Sequence, residues 1–207
     1  MQADQIEQFF TRSDGQYLCA RWGRPIVPVV FGVDEATLST VKGAIEAVVT
    51  LANHQMAETD PELGANLMVF FFQHWSELLD VPNLDRLIEG LEPLVMRLRE
   101  AEANQYRIFR FDEANAIRAV FVFIRMDEAL EQVSAQTLAL SQAVQVILLW
   151  SDRAFTEQSA LAVVKDGVIL RPEIGALIRA AYDPVLPAVA NDATHALRLA
   201  ARITSLQ

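Results

Sequence analysis

The sequence predicts an α+β domain in which a mixed β-sheet packs against helices, with a long buried helix at the centre. Short β-branched and aromatic runs alternate with longer segments of helical periodicity, so both kinds of element are expected. Two of the runs, residues 106–111 and 116–126, flank a polar turn and predict an antiparallel hairpin. Residues 134–150 are long and almost wholly apolar, which predicts the buried helix. We expect the helices on one side of the sheet.

Length and composition limit the class of protein. A chain of 207 residues, 52% hydrophobic and 21% charged, suits one domain with a sizeable core. No linker or repeat divides it, and within it we distinguish an N-terminal appendage (1–20), a core (21–190) and a C-terminal helix (191–207). The net charge of −10 disfavours nucleic acid and anionic lipid as partners, because both would repel the chain. Cys19 is the only cysteine, so no internal disulfide is expected.

The sequence also bears on localisation. The longest apolar runs are too short to form a transmembrane helix. The N-terminus has no basic segment followed by an apolar stretch, so no secretory signal is predicted. We therefore expect a cytoplasmic protein, or a periplasmic or envelope-associated one if a signal segment has been removed.

Two strands are predicted in the first third of the chain. Residues 26–31 are β-branched and bounded by glycines, which favours a strand. Pro25 and Pro28 lack amide donors, so this strand belongs at a sheet edge or is irregular. Residues 65–73 predict a second, more central strand.

Helices are predicted around these strands. Asp34 is the predicted N-cap of a helix whose apolar residues recur at a period of about 3.6 through residue 52. Residues 75–103 predict helix interrupted at residues 81–83 and again at Pro93.

The C-terminal third predicts a turn and two further helices. Asp166 and Gly167 form the predicted turn between two short apolar runs. A helix opens at residues 171–173 and runs through residue 181, with proline in its first turn. Asn191 or Asp192 caps a last helix to Thr204.

No familiar catalytic or cofactor motif is present. The sequence lacks GxGxxG, GxxxxGK[ST], GxSxG, CxxC and HExxH. The three histidines, His54, His74 and His195, fall in three separate predicted elements, which does not favour a metal site. Acidic residues at 112–113 and at 127–131 have two readings: a solvated turn and helix-dipole partners, or oxygen ligands for a hard cation. We predict no cofactor and no bound metal.

The polar residues of the predicted central helix fall on one side. At about 100° per residue they share a stripe roughly 80° wide. The stripe consists of Ser134, Thr137, Ser141 and Gln145, with Gln142 beside it. A narrow uncharged stripe on a buried helix either faces solvent or lines a cavity, and both readings stay open. Ser141 and Gln145 are spaced i,i+4, as paired metal ligands on a helix are, but hydroxyl and amide groups are not credible zinc ligands.

Three stretches carry a resemblance to known proteins. They are residues 21–26 (RWGRPI), residues 65–69 (ANLMV), and residues 145–152 followed by Ser159 and residues 178–186. In order and spacing they resemble a proteobacterial domain family of unknown function, which has lipoprotein-type members. The layout also resembles the zincin-like metallopeptidase fold, in which a strand–helix–sheet unit precedes an active-site helix.

The chain departs from this family where the chemistry is expected. The family tends to carry acidic or His-Glu residues on the helix, whereas this chain has Ser141 and Gln142 and keeps only Gln145 and Asp152. The resemblance therefore implies a degenerate active-site helix without metal ligands or a general base. We take Ser141, Gln142, Gln145 and Asp152 as candidate pocket-lining residues and propose no catalytic residue.

Three functions are compatible with this sequence. The first is a catalytically inactive zincin-like domain that acts as a binding or interaction module for an unidentified ligand or protein partner. The second is a hydrolase with an atypical site, using Asp152, Glu157 or the loop acids with a recruited metal. The third is a structural subunit that forms a homodimer through an apolar surface.

Overall fold

The protein is described here by a computed structural model that covers residues 1–165 and 167–205. The strands are β1 (Cys19–Ala20), β2 (Pro28–Phe31), β3 (Leu67–Phe72), β4 (Gln105–Phe111), β5 (Ile117–Arg125), β6 (Leu161–Val164), β7 (Gly167–Leu170) and β8 (Val189–Ala190). The helices are α1 (Ala3–Phe10), α2 (Glu35–Leu51), α3 (Leu84–Leu87), α4 (Leu91–Glu100), α5 (Glu128–Glu131), α6 (Ala135–Ile147), α7 (Pro172–Ala181) and α8 (Thr194–Ser205), and a 3-10 helix spans Trp75–Asp80. The prediction of a mixed α+β chain is confirmed.

The main sheet contains four strands in the order β2-β3-β5-β4. β2, β3 and β5 run parallel, and β4 pairs antiparallel with β5. This confirms the edge position of β2, the more central position of β3 and the β4–β5 hairpin. β1 pairs with β8, and β6 pairs with β7, in two small antiparallel sheets. Asp166 of the predicted turn lies outside the described residues.

The sheet is covered on both faces, so the expectation of helices on one side is wrong. Val69, Val120 and Val122 belong to the apolar cluster that also contains the buried residues of α2 and α6. Phe70 and Phe123 point the other way, into a second cluster formed with the 3-10 helix, α3 and α4. Successive strand residues alternate between faces, and here both sets are apolar. An uninterrupted apolar run is the pattern of a strand buried on two sides.

The two long helices of the first cluster pack against each other. The Asp34 side chain accepts a hydrogen bond from the Thr37 amide and caps α2, as predicted. Ser134 caps α6 in the same way. The end of α6 was predicted at Trp150 and lies instead at Ile147. The helix stops because Leu148 turns into an extended conformation and forms a β-bridge with Arg21.

The segment after β3 differs from its prediction at one point. The break at residues 81–83 is confirmed, because the 3-10 helix ends before Val81 and Asn83 adopts a φ of 60°. Pro93 does not interrupt the following helix, since it lies within the first turn of α4, where a missing amide donor costs little. The second break is at Gly90, whose φ of 70° is a conformation that glycine adopts without strain.

The N- and C-terminal elements join the first cluster. Ile6 and Phe10 of α1 and Leu199 of α8 are fully buried within it. α7 begins at Pro172 and ends at Ala181, as predicted. α8 begins at Thr194, later than the predicted cap at Asn191 or Asp192 would place it, and ends at Ser205. None of the described helices combines the length and the apolar character that crossing a membrane requires.

Candidate functional site

Ser141 and Gln145 lie together on the polar stripe of α6. Both side chains are half-buried. The Gln145 Nε2 group donates a hydrogen bond to Ser141 Oγ over 2.9 Å. The i,i+4 spacing therefore brings the two groups into contact, as the sequence predicts, and they bind each other. The role of this pair in lining a pocket stays a prediction.

Gln142 is separated from that pair and belongs to a different polar group. It is buried, with 4% of its surface exposed. Its Oε1 accepts a 2.6 Å hydrogen bond from Arg107 Nη2, and its Nε2 donates to Gln105 Oε1 over 2.8 Å. Arg107 Nη2 also donates to Gln105 Oε1 over 3.1 Å. We call these three residues the Arg107 cluster; it joins α6 to the edge strand β4.

The charge of Arg107 has no carboxylate partner in the described part of the chain: none lies within salt-bridge distance. Burial lowers the pKa of its guanidinium to about 10. The group is therefore still protonated at neutral pH. Its Nε is enclosed by protein and has no hydrogen-bond partner.

Asp152 lies beyond the end of α6 and serves a different part of the fold. It is exposed, and its Oδ1 accepts a 3.0 Å hydrogen bond from the Ser13 amide. The hydrogen bonds from Ser13 lower the pKa of the Asp152 carboxyl. The structure therefore joins Asp152 to the loop after α1, and no hydrogen bond links it to Ser141, Gln142 or Gln145.

Aromatic side chains hold the C-terminal end of α6. The last carbonyls of a helix have no partner within the helix and need donors from elsewhere. Trp150 Nε1 donates to the Val144 carbonyl over 2.8 Å. Trp22 Nε1 donates to Val146, and the Tyr182 hydroxyl donates to Ile147, each over 2.8 Å. Sequence reasoning missed this arrangement, although Trp22 and Tyr182 both fall in the stretches that carry the family resemblance.

Other residues of those stretches also hold backbone groups. The Arg21 guanidinium donates from Nη1 to the Tyr182 carbonyl over 2.8 Å and from Nη2 to the Leu186 carbonyl over 3.1 Å. The Asn66 side chain is fully buried; it accepts from the Val27 amide and donates to the Pro25 carbonyl. The three stretches therefore meet in the fold, and their polar residues fix the backbone.

Asp60 is the buried carboxylate of this scaffold. Burial alone would raise its pKa. Hydrogen bonds from the Leu63 and Glu62 amides, and from the Asn66 and Arg24 side chains, outweigh that effect and hold the pKa of Asp60 at about 2. Asp60 is thus an ionised, fully bonded group at neutral pH.

The other titratable candidates do not converge. His54 Nε2 lies 2.9 Å from the Arg24 carbonyl, and His195 Nδ1 lies 3.0 Å from the Tyr17 hydroxyl. His74 lines a cavity of about 440 Å³ elsewhere. Burial raises the pKa of the Cys19 thiol to about 12, so it is not a reactive thiolate. Over residues 1–165 and 167–205, no three His, Cys, Asp or Glu side chains are grouped so that they could hold a metal ion.

A cavity of about 930 Å³ is separate from the candidate residues of α6. It lies between α1, residues 153–159 and the start of α7. Glu157, which the sequence offers for an atypical hydrolytic site, lines it together with Asp4 and Glu7. Phe155, in the same wall, adopts a φ of 64°, a strained conformation for a bulky side chain.

Comparison with known proteins identifies no relative. No protein-family model, curated protein or solved structure matches the chain. The resemblance to a family and to the zincin-like fold therefore stays a prediction, and the case for a function depends on the geometry of the chain itself.

Proposed function

We propose that this chain is a zincin-like domain that has lost the hydrolytic residues of that fold and acts as a binding module, with its ligand site beside α6. The order of elements supports the fold: strand β2, helix α2 and strand β3 form a strand–helix–strand unit that precedes α6. α2 and α6 then pack together on one face of the sheet.

One observation carries the proposal: the polar side chains of α6 at the expected site are neutral and already bonded. Ser141 and Gln145 bind each other, and Gln142 binds Arg107. Zinc sites need imidazole, thiolate or carboxylate ligands, and activation of a water needs a base. Hydroxyl and carboxamide groups supply neither. The Ser141 hydroxyl hydrogen and Gln145 Oε1 have no partner among the described residues, so both can hydrogen-bond a ligand.

Metal analysis combined with a hydrolysis assay tests this function. We expect purified protein to hold less than one zinc ion per chain and to leave a mixture of unstructured peptides uncleaved. Stoichiometric zinc, together with peptide cleavage that stops when a chelator is added, would overturn the proposal.

One observation favours the alternative, a hydrolase with an atypical site. Glu157 lines the cavity of about 930 Å³, and three further carboxylates, Asp4, Glu7 and Glu173, line it as well. If this alternative holds, Glu157→Gln abolishes hydrolysis and Glu46→Gln, at an exposed position on α2, leaves it unchanged. Hydrolysis that survives both substitutions would exclude Glu157 as the catalytic group.

A further inference from the structure

We infer that Arg107 anchors a binding site for a carboxylate, on the flank of α6 that faces β4. The inference rests on the proposed function, because it names the class of ligand that the binding module takes. It starts from the contrast between Arg107 and the arginines that have a carboxylate within salt-bridge distance, which are Arg24, Arg118, Arg125, Arg171 and Arg202. The arginines without such a partner are exposed, apart from Arg12, Arg21 and Arg107, which are half-buried.

Arg21 is a useful second comparison, because it also lacks a carboxylate partner in the described chain. Its two terminal nitrogens, Nη1 and Nη2, each donate to a backbone carbonyl, and its guanidinium lies 5.4 Å from the centre of the Tyr182 ring. The terminal donors of Arg21 are thus used by the fold. In Arg107 only Nη2 is used, for Gln105 and Gln142.

The unused Nη1 of Arg107 points to a missing acceptor. Nε is enclosed and unbonded in Arg107 and in Arg21 alike, so it is not the donor that separates the two residues. Nη1 has no hydrogen-bond partner among the described residues and, unlike Nε, is not enclosed. An N–H group of a guanidinium donates a charge-assisted hydrogen bond to a carboxylate, and Nη1 is the accessible donor of Arg107. Arg107 is half-buried, and a charge that is partly withdrawn from water costs free energy until it is paired. A bound carboxylate would supply both the acceptor and the countercharge.

The neighbours of Arg107 keep the site rigid without neutralising it. The two amide oxygens that bind Nη2 fix the plane of the guanidinium, and both are uncharged. A glutamate at position 142 would instead form an internal ion pair with Arg107, and the charge of Arg107 would then be unavailable to a ligand. The amide of Gln142 therefore leaves the positive charge free for a ligand.

The charge balance favours a carboxylate over a phosphate. One guanidinium supplies one positive charge, which a single carboxylate balances. A phosphate carries close to two negative charges at neutral pH. The chain as a whole has a net charge of −10, which further disfavours multiply charged anions.

Titration followed by NMR tests the inference. The probes are sodium acetate, N-acetyl-dialanine with a free carboxylate, and the same dipeptide as its C-terminal amide, at constant ionic strength with chloride as the balancing anion. We expect saturable shifts of the Arg107 side-chain signals with at least one carboxylate and none with the amide. Tighter binding of acetate assigns a small organic acid, and tighter binding of the dipeptide assigns a peptide C-terminus; both support the inference.

Three variants give the controls. Arg107→Gln removes the cation, and Gln142→Glu keeps it but provides an internal carboxylate; we expect each to weaken carboxylate binding at least tenfold. Arg110→Gln makes the same charge change at an exposed position on β4, whose side chain points to the other face of the sheet. We expect binding by this variant to be unchanged. If Arg107→Gln does not fold, the nearly isosteric Gln142→Glu variant still decides the question.

The inference is overturned if neither carboxylate gives saturable shifts, if the amide binds as well as the acid, or if Gln142→Glu binds as the wild type does. These results differ from those that overturn the proposed function. Zinc-dependent hydrolysis would remove the binding-module proposal and leave the carboxylate titration standing. Absence of carboxylate binding would remove only the assignment of the ligand class.

Discussion

Polar groups find different partners at the C-terminal end of α6 and on the flank of α6 at Gln142. At the end of the helix, three carbonyls receive hydrogen bonds from Trp22, Trp150 and Tyr182. At the flank, the Arg107 guanidinium has two bonds to neutral oxygens and no countercharge in the described chain.

This difference in partners distinguishes residues that stabilise the fold from residues that form a candidate binding site. Unmade hydrogen bonds inside a protein cost more than made ones gain, so a fold normally satisfies them. The end of α6 follows that rule with donors from three places in the sequence. The flank also makes hydrogen bonds, but only between neutral groups and Arg107, so the charge of the half-buried Arg107 has no counterion in the described chain. Perturbed charges concentrate at functional sites.

The largest effect is expected from Leu148→Ala, which removes a fully buried side chain directly after α6. Loss of a buried leucine side chain leaves a cavity and costs roughly 2–5 kcal/mol of unfolding free energy. A denaturant melt measures the change. Leu197→Ala, at a position 61% exposed, is the control and should stay within about 0.5 kcal/mol of the wild type. A loss below about 1 kcal/mol at Leu148 would show that this region is not a packed scaffold.

Tyr182→Phe removes one of the three capping donors without changing the shape of the ring. The Ile147 carbonyl loses its donor, and the Trp22 amide loses an acceptor at 3.3 Å. We expect a destabilisation of about 1–3 kcal/mol, the range for a buried group left unsatisfied. Tyr106→Phe is the matched control, because its hydroxyl takes part in an exposed bond with Arg97. Equal losses in the two variants would contradict a special role for the end of α6.

Gln142→Glu tests the other half of the comparison and should stabilise the protein. A carboxylate beside Arg107 Nη2 replaces a neutral acceptor, which adds about 1 kcal/mol on the scale of charged hydrogen bonds. The carboxylate cannot make the bond that Gln142 Nε2 donates to Gln105 Oε1, so we expect the Gln105 amide to turn its Nε2 towards it. Arg107 would lower the pKa of the new carboxyl in the folded state. The gain is therefore present above pH of about 4.3 and is lost as the pH falls below it.

Thermal melts of this variant and of the wild type, from pH 7 down to pH 3, measure the effect. Gln16→Glu, at an exposed loop position, is the control and should change neither the midpoint nor its pH dependence. A Gln142→Glu variant less stable than the wild type at pH 7 would show that the charge of Arg107 is already balanced.

The smallest effect on stability is expected at His195, a buried group that, unlike Arg107, can become neutral near physiological pH. Its Nε2 is also enclosed without a partner, but an imidazole can lose its charge. Burial, followed by the charge of Arg198, lowers the pKa of His195. The unfolded chain therefore takes up the proton first, so stability is full above pH of about 6.5 and falls as the pH decreases below it.

Stability measured between pH 7.5 and pH 5 checks this sign. We expect the decrease to be smaller in His195→Gln than in the wild type. The control is His74→Gln, at an exposed position, which should keep the wild-type slope. An unchanged slope in His195→Gln would assign the pH dependence to other groups, His54 among them.

Elements with strong local signals were predicted well. Asp34 caps α2 because its side chain needs only an amide three residues ahead, at Thr37. The β4–β5 hairpin follows from two strand-forming runs on either side of a short turn. The edge position of β2 follows from prolines that cannot donate to a neighbouring strand. Each of these depends on residues that are close in sequence.

Elements decided by distant contacts were predicted less well. The end of α6 was placed three residues too late, because the bridge between Leu148 and Arg21 cannot be seen in an apolar run. Helices on both faces of the sheet were missed, although the continuous apolar runs of β3 and β5 carried the signal. Pro93 was predicted to interrupt a helix, because the sequence does not show that Gly90 ends the preceding segment. Since α4 begins only at Leu91, Pro93 lies in its first turn.

The sequence by itself determined the element types, their order and the neutral character of the polar stripe on α6, because periodicity, capping and side-chain chemistry are local properties. Only the tertiary structure decided what those side chains meet. Gln142 and Arg107 are 35 residues apart in the chain and 2.6 Å apart in space. An arginine in a strand carries no local mark of whether a carboxylate will lie beside it, because the countercharge comes from whichever element packs there. The candidate site is therefore a product of packing.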